Sequence, residues 1–216
     1  GDNYYDDYLM TTSYSNQIQK LQQQQLERLL NIYQEKEGLP ESLIEIGCGD
    51  GSFLNHAKSR IPKLLGIEPS ARFSASAIEQ GHKIINGYVT SSSKLTEDSF
   101  DSFVSRQVFE HLPDPLDVLL GIKTMLNPGA VGLIEVPNGY KAMRKKCFYE
   151  FFPDHTNYFS VNSLVALASQ AGFNVVSCHE AFGGDYLELW VRNDTEELVK
   201  KCLGDMVIER EKVCSN

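Results

Sequence analysis

Basic residues are in short supply: 20 lysines and arginines stand against 29 aspartates and glutamates, leaving a formal net charge of −9. Proteins that bind a phosphate backbone neutralise it with clustered Lys and Arg, so this balance argues against DNA or RNA as the main partner. No apolar run approaches the ~20 residues that a membrane-spanning helix needs, and the polar opening lacks the core of a signal peptide. No membrane partner is expected, and a cytoplasmic location is. The five cysteines (Cys48, Cys147, Cys178, Cys202, Cys214) form no Cys-x-x-Cys pair and no even framework. Reduced thiols are the simplest reading, and no metal site is expected. The chain opens on Gly1 rather than Met, as a cleavage scar or an internal boundary of a longer polypeptide would leave it.

What is present is a regular alternation of short apolar runs with helical stretches. Residues 43–46, 63–67, 82–85, 100–105 and 131–136 read as strands, with helix signals between them. Such alternation implies crossover units and a mostly parallel sheet. Ser70 can cap a helix that stops at Gly81, Pro115 can open one that ends before Asn127-Pro128-Gly129, and Ser160 precedes another that stops at Gly172. Two late runs, 173–177 and 186–191, have the Val, Tyr and Trp content of strands and are joined through Gly183 and Gly184, which suggests an antiparallel end to the sheet. Ahead of all this, a Tyr-rich arm is followed by an amphipathic helix over 17–35; behind it, 194–212 reads as a charged amphipathic stretch. The expected organisation is an arm and helix over 1–38, one α/β domain over 39–193, and a C-terminal segment over 194–216.

The sharpest local signal is Leu43-Ile44-Glu45-Ile46-Gly47-Cys48-Gly49-Asp50-Gly51-Ser52-Phe53-Leu54, a strand running through three alternating glycines into a helix. Backbone without Cβ atoms lets a ligand approach closely, and the helix start offers free N–H groups. The bland alternative is a tight strand-to-helix connection. A dinucleotide fingerprint would place glycine where Ser52 stands, and a P-loop would place Lys-Ser/Thr where Ser52-Phe53 stand, so neither phosphate pattern is met. Glu68 ends the next strand about 20 residues on, where a carboxylate can accept both hydroxyls of a ribose.

These residues, continued by Phe100-Asp101-Ser-Phe-Val-Ser-Arg-Gln-Val-Phe-Glu110-His111-Leu-Pro-Asp-Pro115 and Leu126-Asn-Pro-Gly-Ala-Val-Gly-Leu-Ile-Glu-Val136, resemble the motif succession of class I methyltransferases that use S-adenosyl-L-methionine (SAM). The resemblance covers roughly 43–192 and implies a Rossmann-like fold: a mostly parallel seven-stranded sheet with an antiparallel terminal strand and helices on both faces. It also implies a cofactor set. Gly47, Gly49 and Gly51 would pass beneath the methionine and ribose parts of SAM with Glu45 and Cys48 between and before them. Glu68 and Pro69 would hold the ribose, Tyr88 and Val89 would lie near adenine, and Ser105, Arg106 and Gln107 would meet the methionine end and face the acceptor. Glu110 and His111 would be structural, orienting the helix that follows.

On the acceptor side, the candidate base is His155, in Phe151-Phe152-Pro153-Asp154-His155-Thr156-Asn157-Tyr158-Phe159-Ser160, with Asp154 and Tyr158 the nearest groups able to orient it. The alternative is a histidine that only closes the loop before the Ser160 cap. The arm and this loop resemble the methyltransferase region of sugar C-methyltransferases, whose Tyr-x-Glu-His stretch contributes to proton abstraction. Here Phe152 and Asp154 stand in place of its Tyr and Glu. Tyr8, Tyr14, Asn138 and Arg144 are the candidate substrate contacts, Arg144 within a short basic run that could receive an anion or simply be solvated. The expectation is a methyltransferase for a small-molecule acceptor, on carbon or else on oxygen or nitrogen. The rivals are a nicotinamide-dependent oxidoreductase and a SAM-binding module without turnover.

Overall fold

The computed structural model describes residues 15–93, 95–146 and 151–194. The Tyr-rich arm, with Tyr8 and Tyr14, and the stretch after Asp194 lie outside the described residues. Helix α1 (Asn16–Glu37) leads into β1 (Ser42–Ile46), α2 (Ser52–Ala57), β2 (Lys63–Ile67), α3 (Ala71–Glu79) and β3 (Ile84–Ile85). Then come β4 (Phe100–Arg106), a 3-10 turn (Phe109–His111), α4 (Pro115–Thr124), β5 (Leu126–Pro137), α5 (Gly139–Arg144), α6 (Val161–Gln170), β6 (Asn174–Ala181) and β7 (Tyr186–Arg192).

The strands form one seven-stranded sheet in the order β3-β2-β1-β4-β5-β7-β6. Strands β1 to β5 pair in parallel, whereas β7 is antiparallel to both of its neighbours. The antiparallel strand is last in sequence but inserted between β5 and β6, so β6 is the edge. The apolar pattern thins out after Ser177, yet β6 continues to Ala181, held by its pairing with β7 up to Ala181 opposite Tyr186. β5 likewise begins earlier than its apolar run, at Leu126, and pairs with β4 across a register irregularity between Phe100 and Ser102.

Alternation along the strands sorts side chains into two cores. Ile44, Phe103, Ile134 and Leu189 point to the face covered by α4 and α6, with Leu119, Ile122 and Leu164. Leu43, Val104, Leu133 and Trp190 point to the opposite face, where Leu26, Leu29 and Leu30 of α1 and Phe53 and Leu54 of α2 cover them. At about 1.5–3 kcal/mol per fully buried large apolar side chain, these leucines seat α1 on the sheet, so it belongs to the same core as the domain it precedes. Capping at Ser70 and Ser160 matches the sequence signals, Ser70 accepting from the Phe73 N–H and Ser160 forming a capping box with Ser163; ahead of Pro115, Asp114 accepts from the Asp117 N–H. No helix of the described residues is long and apolar enough to cross a membrane.

Candidate functional site

β1 and β4 are neighbours, but the chain leaves them towards opposite edges of the sheet. At such a switch point the loops after the strands diverge and leave a crevice at their C-terminal ends. Here it is a cleft of ≈ 600 Å³ lined by Ile46, Gly47 and Gly49 on one side and by Arg106, Gln107 and Val108 on the other. The glycine loop folds back over β2, with the N–H groups of Gly47 and Cys48 donating to the Ile67 carbonyl at 2.8 and 3.2 Å. Gly47 has φ +71° and a Cβ there would lie 2.3 Å from Val108 Cγ2, so both conformation and space demand glycine.

Glu68 sits in the wall of the cleft, 7% exposed. Its Oε2 accepts from the Gly49 N–H and its Oε1 from the Ser70 N–H, each at 2.9 Å. Burial pushes this carboxyl up from its ordinary value, and the two N–H bonds oppose the rise. Each oxygen keeps lone-pair capacity beyond its single backbone bond, which suits a vicinal diol. Pro69, Phe73, Tyr88, Val89 and Thr90 continue the wall beside it, Tyr88 being more than half exposed.

Of the expected cofactor set, Gly47, Gly49, Glu68, Pro69, Tyr88, Val89, Arg106 and Gln107 line the cleft, and Glu45, Cys48, Gly51 and Ser105 lie behind it. Glu45 is buried on the α1 side of β1, where burial pushes its carboxyl up to about 8 despite the Arg106 charge nearby. Cys48 packs over Gly66, and burial likewise raises its thiol. Gly51 takes the N-cap position of α2. Ser105 is fully buried, and its Oγ has no hydrogen-bond partner among the described residues.

His111, Leu112 and Asp154 complete the cleft. The loop carrying Asp154 is tied to the 3-10 turn by Asn157, whose amide donates to the Phe109 and Leu112 carbonyls at 3.2 and 2.6 Å, and by Thr156, whose hydroxyl donates to Leu112 at 3.0 Å. This docking places Asp154 Oδ2 3.2 Å from His111 Nδ1. The hydrogen bond of His111 Nδ1 is to the Asp154 main-chain carbonyl, at 3.2 Å, so Asp154 meets His111 as well as its sequence neighbour His155. Tyr158 does not serve His155; its hydroxyl donates to the Phe152 carbonyl at 3.3 Å.

His155 stacks edge-on against His111, ring centroids 4.8 Å apart, and lines an adjoining cavity of ≈ 110 Å³ with Lys141, Lys145 and Tyr158. Burial first, then the His111 charge, lower its pKa, against the pull of Asp154. Glu110, buried beside them, is pushed up to about 8, mainly by burial. Ligand atoms of Glu110, His111 and His155 lie within 4.8 Å of one another, so this trio could also bracket a metal ion. Asn138 borders the smaller cavity, but its side chain is used up: it caps α5 and donates to Glu180 and the Gly184 carbonyl. Arg144 lies over the ring of Tyr140 and lines neither cavity.

Comparison with known proteins agrees with this geometry. Residues 14–178 match the family model described as "Methyltransferase domain". The chain is 26% identical to the C-methyltransferase NovU of Streptomyces niveus over 86% of this chain and 46% of that protein. It is 30% identical to the ubiquinone biosynthesis O-methyltransferase of Aeromonas salmonicida over 44% of this chain and 43% of that one. The chain therefore spans about half the length of these curated relatives. Among solved structures, the plantazolicin methyltransferase BpumL, in complex with a monoazolic desmethylPZN analog and SAH, superposes with a TM-score of 0.72 at 14% identity, over 90% of this chain and 93% of that one.

Proposed function

The chain belongs to the methyltransferase-domain family, as a class I, SAM-dependent member, and we propose that it transfers a methyl group from SAM to a small-molecule acceptor, a sugar or related natural product, at carbon. The family match displaces the nicotinamide-dependent alternative. The observation that carries the reading is the juxtaposition in one cleft of a diol-accepting carboxylate, Glu68, with an imidazole, His111, held by the main chain of the Asp154 loop. SAM, when bound, supplies an electrophilic methyl on a sulfonium, and an in-line displacement depends chiefly on holding the nucleophile against it. Gly47, Gly49 and Glu68 would hold the adenosyl part, and Arg106 and Gln107 would meet the amino-acid end.

A carbon acceptor must lose a proton, and a base is then needed. His111 fills that role: its Nδ1 meets the Asp154 main-chain carbonyl at 3.2 Å, with Asp154 Oδ2 also 3.2 Å away, and its Nε2 lies 3.8 Å from Glu110 Oε1. His155 packs edge-on behind it, and burial first, then the His111 charge, lower the pKa of His155. Asp154 and Tyr158 act through the loop they hold. Carbon is preferred because the match to a C-methyltransferase spans most of the chain; the ubiquinone O-methyltransferase match supports oxygen as the second reading. A methylation screen with 13C-labelled SAM over keto-sugars and phenols distinguishes them by the chemical shift of the new methyl. With the acceptor found, His111→Ala is expected to lower turnover by about 10²–10⁴, the span of general-base catalysis, with His155→Ala costing less. SAH affinity should stay unchanged in both. Full turnover in His111→Ala with loss in His155→Ala would transfer the base role to His155.

A further inference from the structure

The face of the sheet beneath α1 carries a polar row that the proposed chemistry does not use. Strand register sets Arg106 of β4 beside Glu135 of β5, Glu135 beside Glu188 of β7, and Glu188 beside His179 of β6. Two carboxylates directly opposite each other repel, and here both are buried, Glu135 at 1% and Glu188 at 5% exposure. Gln25 of α1 bridges them: its Nε2 donates to Glu135 Oε2 at 2.5 Å and to Glu188 Oε1 at 2.9 Å. Both amide hydrogens are thereby used. Glu188 Oε2 accepts from the Trp190 ring N–H at 3.2 Å, which anchors that end of the row.

The other oxygen of Glu135 turns to the cleft. Its Oε1 accepts from Gln107 Nε2 at 3.1 Å and lies 3.6 Å from Arg106 Nε. Gln107 itself has φ +55°, a left-handed conformation uncommon for a residue with a side chain, and its N–H donates to the Glu135 carbonyl at 2.9 Å. A strained residue persists only where its surroundings over-determine it, and Glu135 grips Gln107 from both main chain and side chain. Arg106 and Gln107 are the cleft residues at the end of β4.

We propose that Glu135 is a positioning residue for SAM, fixing Arg106 and Gln107 in the arrangement that receives the amino-acid end, and that Gln25 couples the seating of α1 to that arrangement. The inference rests on the reading of the cleft as the SAM site. Donors held in place before binding need not be ordered by the ligand, so loosening them weakens association.

The test compares two ligands by isothermal titration calorimetry: S-adenosylhomocysteine (SAH), and 5′-methylthioadenosine, which keeps the ribose and adenine but lacks the amino-acid end. Glu135→Gln should raise the SAH Kd about tenfold, the scale of a lost charge-assisted bond, while 5′-methylthioadenosine binds as in the wild type. Gln25→Leu, which leaves every cleft residue intact, should weaken SAH in the same selective way, and the double variant should be no worse than Glu135→Gln alone. Should Glu135→Gln fail to fold in a thermal melt, Gln25→Leu carries the test. Unchanged or tighter SAH binding, or equal losses for both ligands, overturns the proposal, equal losses being the mark of a merely structural role. Wild-type protein that binds neither ligand brings down the cleft reading and this inference together, before any variant is made.

Discussion

Glu68→Ala is the most informative single change, because the same carboxylate ties the glycine loop to β2 and faces the cleft. A hydrogen bond to a charged acceptor contributes about 1.5–3 kcal/mol, so losing both diol contacts, with water refilling the space, costs about 3 kcal/mol at the low end. At 1.4 kcal/mol per tenfold, the SAH Kd rises about 100-fold. The fold loses less. The Gly49 and Ser70 N–H groups forfeit their acceptor at about 1 kcal/mol each, partly offset by removal of a carboxylate that burial disfavours. The melting temperature then drops by no more than about 8 °C. A thermal-shift titration reads both effects. SAH at 100 times the wild-type Kd stabilises the wild type by about 2.7 kcal/mol, whereas a variant bound 100-fold more weakly gains only about 0.4 kcal/mol. Equal ligand-induced shifts in the two proteins would falsify the assignment of Glu68 to the ribose.

Three further outcomes are expected. Glu110 has a folded-state pKa near 8 against an ordinary 4.5, so between these values the native state holds more protons than the unfolded one and stability falls as pH rises. Urea denaturation from pH 4.5 to 8 should show a flatter decline in Glu110→Gln; an identical slope means the carboxyl is not desolvated as drawn. Gly132→Ala would set a Cβ 1.8 Å from Cε1 of the fully buried Phe103, and should cost about 1–3 kcal/mol or more in the urea midpoint, an unaltered midpoint showing that β4 and β5 are less tightly packed there. Dialysis against a chelator should leave turnover intact if Glu110, His111 and His155 handle protons; loss of activity restored by a divalent cation would make them metal ligands instead.

Much of the architecture was legible because it is local. A buried parallel strand announces itself as four or five consecutive apolar residues, and Leu43-Ile44-Glu45-Ile46 running into Gly47 did so without reference to anything distant. The caps at Ser70 and Ser160 and the proline at Pro115 act within one helical turn, so these residues suffice to locate the helix starts. The position of Glu68 was readable for the same reason: it lies at the end of one strand, and its distance along the chain from the glycines is set by a single crossover.

The surroundings of His155 were not readable in this way. Sequence proximity suggested Asp154 as the partner of His155, but a loop pinned by Asn157 to the carbonyls of Phe109 and Leu112 brings Asp154 to His111, 43 residues away. Glu135 reads as one polar residue in an apolar strand, and Gln25 as one glutamine among many in α1; only their meeting across 110 residues gives either a task. The order of the sheet belongs to the same class, since nothing in 173–191 says that β7 enters between β5 and β6. Local periodicity and backbone sterics specify what each segment is; which side chains face one another across the sheet depends on register and on loop docking, which arise only when the segments pack.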